Sequence, residues 1–259
     1  MRILLVIALL VSVTSGALWA QTADPRASRA DVIRLLGQLP EFSPIREEFQ
    51  ALGYEGENLE LAVKQAELLY RDPVMAGYLA DRLIEAFESP QSVRAPDGLI
   101  TGLIRNGLGH LSTSELRYYY RVEQIMLQSL PTRTCGRAVK DRLSPAKFSE
   151  LVSRMAAGFS PKSLREYYRV QAKAARFGAT RKPVRQGREK SAAVEERVNA
   201  RLAQKISQRS DQRQLLAAVG NLDRARNKQA CQIGRLFMET VMELKGRELR
   251  DTLIYMSQP

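Results

Sequence analysis

Leu111-Ser-Thr-Ser-Glu-Leu-Arg-Tyr-Tyr-Tyr-Arg-Val122 decides the fold class. Ser112 with Glu115 three residues on is a capping-box pair, in which each side chain takes up a backbone N–H at a helix start. Behind it Leu116, Tyr119, Tyr120, Met126, Leu127 and Leu130 recur at helical spacing and form one apolar face. The pattern returns 48 residues later as Phe159-Ser-Pro-Lys-Ser-Leu-Arg-Glu-Tyr-Tyr-Arg-Val170. Ser, Leu, Arg, Tyr, Tyr, Arg and Val hold equal positions in both, which reads as a duplicated helical unit. Two copies fall short of a solenoid, and no tetratricopeptide, ankyrin or armadillo pattern is present.

Helix signals continue on both sides. Ser28 with Asp31 is a second capping box. Ser43-Pro44, Asp72-Pro73, Ser144-Pro145 and Ser160-Pro161 each put a capping side chain before a proline suited to the first helical turn. Gly53 and Gly178 read as helix stops. Val74, Tyr78, Leu79, Leu83, Ile84 and Phe87 give a helix from about Pro73 to Glu88. Ile233, Leu236, Phe237, Val241 and Leu244 make a stripe continuing through Leu249 and Leu253. Alternating strand patterns are missing. The expected fold is all-α, an irregular bundle of about eight to ten helices.

The first twenty residues stand apart. Arg2 precedes an apolar run from Ile3 to Val13, too short to span a bilayer, and Ala17 and Ala20 supply small residues for cleavage. Residues 1–20 read as a signal peptide cut near Ala20, which places the mature chain in the periplasm or outside the cell. Cys135 and Cys231, the only two cysteines, then read as one disulfide. Closing a loop of close to a hundred residues stabilises by roughly 4–5 kcal/mol in the chain-entropy model.

Charge divides the mature chain. The 259 residues carry 40 Lys and Arg against 28 Asp and Glu, a net of +12. Residues 31–90 hold 12 acidic and 5 basic groups, whereas residues 171–228 hold 15 basic and 5 acidic. The expected organisation is an acidic lobe at 21–96 and a middle lobe with the two similar units at 97–178. A basic mobile loop at 179–191 and basic C-terminal helices at 192–259, stapled to the middle lobe, complete it.

Within the basic region Arg197, Arg201, Lys205, Arg209 and Arg213 recur every fourth residue. Each is turned by about 40° from the last on a helix, so they form a drifting ribbon beside the apolar seam Val194, Val198, Leu202 and Ile206. Such a ribbon is a solvated face, a docking surface for an anion, or an interfacial membrane helix. The seam lacks the Trp and Phe that the last would use. The partner expected is an anionic envelope polymer or an acidic protein, since export removes the usual nucleic-acid targets. Arg117 with Arg121, and Arg165 with Arg169, are secondary anion-binding candidates, each pair lying on one helix face.

Catalytic signals are weak. Ser144-Pro145-Ala146-Lys147 fits the Ser-x-x-Lys of penicillin-binding enzymes, but their Ser-Asp-Asn and Lys-Thr-Gly elements are missing. One histidine, His110, excludes a histidine pair, and two cysteines exclude a four-thiolate zinc site. Glu47 with Glu48 and Glu195 with Glu196 are adjacent, so each pair diverges by about 100° on a helix. Gly98, Gly102, Gly107 and Gly109 are spaced too loosely for a phosphate loop and read as helix-packing and turn residues. No catalytic residue, metal site or cofactor is expected. A binding protein is the leading reading, and an envelope enzyme using acids from separate helices is the alternative.

Overall fold

A computed structural model describes residues 28–41, 43–88 and 99–258. Among these residues the fold is all-α, with thirteen α-helices. The expected signal peptide lies outside the described residues. No helix among the described residues is long and apolar enough to cross a membrane.

The chain forms two compact units, each discontinuous in sequence. In unit I the described residues run 28–107 and 145–182, and in unit II 108–144 and 183–258. The stretch expected as a middle lobe, 97–178, is therefore shared between them.

Unit I contains α1 (Arg29–Gln38), α2 (Ser43–Ala51), α3 (Gly56–Arg71), α4 (Pro73–Glu88), α5 (Leu99–Leu108), α8 (Pro145–Ala157) and α9 (Pro161–Thr180). Three of the capping signals act as read. Ser28 and Asp31 form a capping box, Asp72 accepts from the N–H groups of Val74 and Met75, and Ser160 accepts from Ser163. On α4 the stripe is turned from expectation. Met75, Ala76, Leu79 and Ala80 are buried, while Val74, Tyr78, Leu83 and Ile84 are half-buried. Small residues on the inner side let α1 pack closely on α4.

The core of unit I is α3 against α9. Tyr168 donates its hydroxyl to Tyr54 at 3.2 Å, and the Asn58 amide donates to the carbonyls of Ala157 and Phe159. Gly178 does not stop α9, which runs on to Thr180. Its role is proximity: a Cβ there would lie 1.9 Å from the Leu103 carbonyl oxygen, and one at Gly107 would lie 1.7 Å from that of Ala174. Glycine at both positions lets α5 and α9 touch backbone to backbone.

Unit II contains α6 (Thr113–Ser129), α7 (Thr132–Val139), α10 (Arg188–Ser207), α11 (Gln212–Gly220), α12 (Asn227–Glu243) and α13 (Gly246–Ser257). Helix α12 is its axis, lying against α7, α6, α10, α11 and α13. Cys135 on α7 and Cys231 on α12 form a disulfide, their Sγ atoms 2.06 Å apart. Gly136 lies against the Asn227 backbone, 2.1 Å from Asn227 O if it carried a Cβ. The Arg235 guanidinium donates to the carbonyls of Leu127, Gln128 and Leu130, closing the C-terminal end of α6.

The two related stretches fall one in each unit. Leu116, Tyr119 and Tyr120 on α6 and Leu164, Tyr167 and Tyr168 on α9 are all buried. Each of these helices packs on another that begins at a glycine of positive φ, α9 on α3 at Gly56 (φ 50°) and α6 on α13 at Gly246 (φ 54°).

The helix count exceeds the expected eight to ten because stripes that read as continuous are cut by non-helical residues. The C-terminal stripe breaks at Leu244 and Lys245, both extended, before Gly246. The basic stripe breaks after Ser207. Neither break contains a proline, so periodicity runs through both unmarked.

Candidate anion-binding surface

The apolar seam of α10 is buried as expected: Val194, Val198, Leu202 and Ile206 are each at most 3% exposed. Its cationic flank is not a five-membered ribbon. Arg197, Arg201 and Lys205 share α10, Arg209 lies in the turn beyond it, and Arg213 is exposed on α11.

The flank meets carboxylates from its own unit. Lys205 Nζ donates to Glu243 at 2.7 Å and to Glu239 at 3.0 Å. Glu248 on α13 sits 2.9 Å from Arg201 and 3.5 Å from Arg197. Lys190 pairs with Asp251 at 2.7 Å, and Arg209 with Asp211 at 2.9 Å. Burial works to lower the Lys205 ammonium, and the hydrogen bonds from Glu243 and Glu239 outweigh it, so its pKa is raised. Glu239 and Glu243 come from α12, Glu248 and Asp251 from α13, and Asp211 from the turn before α11.

The expected mobile loop is anchored. Residues 181–187 are non-helical, but Pro183, Val184 and Gln186 are half-buried. Gln186 donates to the Asp251 carbonyl at 2.8 Å, and Val184 packs on Gly109.

A second group of cations in unit II is arranged differently. Arg137 donates through Nη2 to the carbonyl of Arg142 at 3.1 Å, and Arg142 through Nη2 to that of Asp223 at 2.7 Å. Lys140 Nζ donates to the Ala225 carbonyl at 2.9 Å. Carbonyls order these side chains without cancelling their charge. Burial, followed by the neighbouring Arg142 charge, lowers the Lys140 pKa, and the Asp223 carboxylate works the other way without reversing it. Arg133, Arg224, Arg226 and Lys228 are exposed on the same two segments.

No family model, curated protein or solved structure matches this chain. Function must therefore be read from the surface itself.

The secondary arginines divide by unit. In unit I, Arg165 pairs with Glu57 and Arg169 with Glu166, both at 2.8 Å. In unit II, Arg121 donates to the Gln124 side chain and Arg117 is exposed. Tyr119, Tyr120, Tyr167 and Tyr168 between them are core, while Tyr118 is half-buried.

Other sequence signals resolve structurally. Lys147 pairs with Glu150 at 2.8 Å, and Ser144 precedes α8 at its start. His110 is half-buried in the turn between α5 and α6. Glu195 accepts from the Tyr255 hydroxyl while Glu196 is exposed, so that pair diverges. Glu48 is half-buried and Glu47 exposed. Glu123 is fully buried on α6, and Glu115 serves its capping box. No group of His, Cys, Asp and Glu able to hold a metal occurs among the described residues.

The carbonyl-anchored group was not singled out by sequence. Its one signal is Arg133-Thr-Cys-Gly-Arg-Ala-Val-Lys-Asp-Arg142, with four cations against one acid. Its second half, residues 222–228, reaches it only through the packing of α7 on α12.

Proposed function

We propose that this is an exported helical interaction protein that holds an anionic envelope polymer or acidic protein on unit II. The observation supporting this is the distribution of counter-charge. Residues 108–144 and 183–259 contain 21 Lys and Arg against 12 Asp and Glu. Glu239, Glu243, Glu248 and Asp251 are already engaged with the cations of α10 and α13. The uncompensated charge thus concentrates away from α10, and such excess favours anionic partners.

Export rests on Arg2, the short apolar run after it and the small residues at Ala17 and Ala20. A disulfide as the sole state of both cysteines accords with an oxidising compartment. The stretches 111–122 and 159–170 are copies of one ancestral helix on this reading. The unit I copy has its arginines ion-paired, and the unit II copy has Arg117 outside any ion pair among the described residues.

Retention of the oxidised protein on immobilised polyphosphate and on immobilised poly-glutamate tests the proposal. Binding at about 0.15 M salt, with release as salt rises, is expected. Passage through both columns at that salt refutes it.

A further inference from the structure

We infer that Arg137, Lys140 and Arg142 form a binding site for a phosphate group. The inference rests on the proposed function and narrows it to one place and one chemistry. Helix α7 and the 222–228 segment are held together by the Cys135–Cys231 disulfide and by the contact of Gly136 with Asn227, so the cations stand on a fixed base. Arg142 and Lys140 are anchored on carbonyls only two residues apart, those of Asp223 and Ala225, which keeps two positive charges side by side.

Each anchor consumes one N–H and leaves others. Arg137 and Arg142 retain Nε–H and Nη1–H donors, and Lys140 retains two of its three. The nearby acids are Asp141, exposed at φ 53°, and Asp223, exposed in the turn. Neither makes an ion pair with these cations among the described residues. Three cations fixed in place with no carboxylate in ion-pair contact, Asp223 acting on Lys140 only through its more distant charge, favour an anion of more than one charge. Phosphate offers four oxygens to donors arriving from three side chains, whereas a carboxylate offers two. The contrast lies in the same unit: Lys190, Arg197, Arg201 and Lys205 on α10 each meet an acid, and these three meet carbonyls.

The anchoring bonds also fasten α7 to the 222–225 turn, so a purely structural role is the competing outcome. NMR of the labelled, oxidised full chain separates the two. Titration with sodium phosphate, against sodium chloride of equal ionic strength, should give saturable shifts confined to residues 133–142 and 222–228. Sodium acetate should give none of comparable size. Arg137→Gln should weaken phosphate binding at least tenfold. Arg142→Ala should do the same, but it also removes a clamp, so the wild-type shift map is the measurement that does not depend on any variant.

Vesicles of phosphatidylglycerol, compared with phosphatidylcholine, distinguish a lipid headgroup from free or polymeric phosphate, and binding in either arm supports the site. No saturable shift with phosphate, or equal shifts with acetate, overturns it. Retention on the polyanion columns together with a flat phosphate titration removes this site and leaves general anion binding standing. Passage through the columns removes the broader reading.

Discussion

Lys205 on α10 donates to Glu243 on α12 across 2.7 Å, from a position 38 residues earlier in the chain. It also reaches Glu239 at 3.0 Å, so one ammonium joins two turns of the neighbouring helix. The carboxylates stay half exposed, and exposed ion pairs contribute little. Lys205→Met should cost about 1 kcal/mol, and the loss should shrink in high salt. Urea unfolding at two ionic strengths measures it. An equal loss at both would mean that packing of the lysine stem carries the effect.

The disulfide should matter more than any ion pair. Cys135 and Cys231 are 96 residues apart, and closing such a loop stabilises by roughly 4–5 kcal/mol in the chain-entropy model. Replacing both by serine should lower the unfolding free energy by about that amount. Mass spectrometry of the unreduced protein should show the two cysteine peptides linked, and free thiols on both would contradict the pairing.

Glycines on α5 provide a matched pair of substitutions. A Cβ at Gly107 would stand 1.7 Å from the Ala174 carbonyl oxygen, whereas one at Gly102 would meet nothing within 4 Å. Gly107→Ala should destabilise by about 3 kcal/mol through forced separation of α5 and α9. Gly102→Ala should stabilise by about 0.5–1 kcal/mol, as alanine replaces glycine within a helix. Thermal melts of the two variants should move in opposite directions.

Unit I carries a pH dependence. Burial pushes the Glu48 carboxyl from its ordinary 4.5 up to about 7, and burial followed by the Glu48 charge pushes the Tyr70 hydroxyl up to about 12. The folded chain therefore holds a proton on Glu48 that the unfolded chain has lost between pH 4.5 and 7. Stability should fall as pH rises through that window, and the full penalty applies above it. Solvent screening of a half-buried group limits the effect to on the order of 1–2 kcal/mol. Glu48→Gln should be the more stable protein at pH about 8 and should flatten the slope, measured by urea unfolding across the window. An unchanged slope would show that Glu48 ionises normally.

Much of the local structure was legible. The capping boxes at Ser28 and Ser112 were readable because both partners lie within one turn, and the seam of Val194 to Ile206 because burial repeats with the helix. The 48-residue recurrence marked two helices whose tyrosines are core in both units. Gly178 misled because a glycine that ends a helix and one that admits another backbone look alike until the neighbour is known. The expected Arg197–Arg213 ribbon misled because the chain leaves the helix at Gln208 with no proline to announce it.

By itself the sequence determined what depends on near neighbours: that the chain is helical, where the capped helices begin, which faces are apolar, and which cysteines could pair. It also determined the excess of positive charge. Only the tertiary structure decided where that charge is cancelled. Arg201 meets Glu248 47 residues away, and Arg142 meets the Asp223 carbonyl 81 residues away. Coulomb and hydrogen-bond energies depend on separation in space, so one set of cations becomes an ion-paired flank on α10 and another a carbonyl-anchored cluster beside the disulfide.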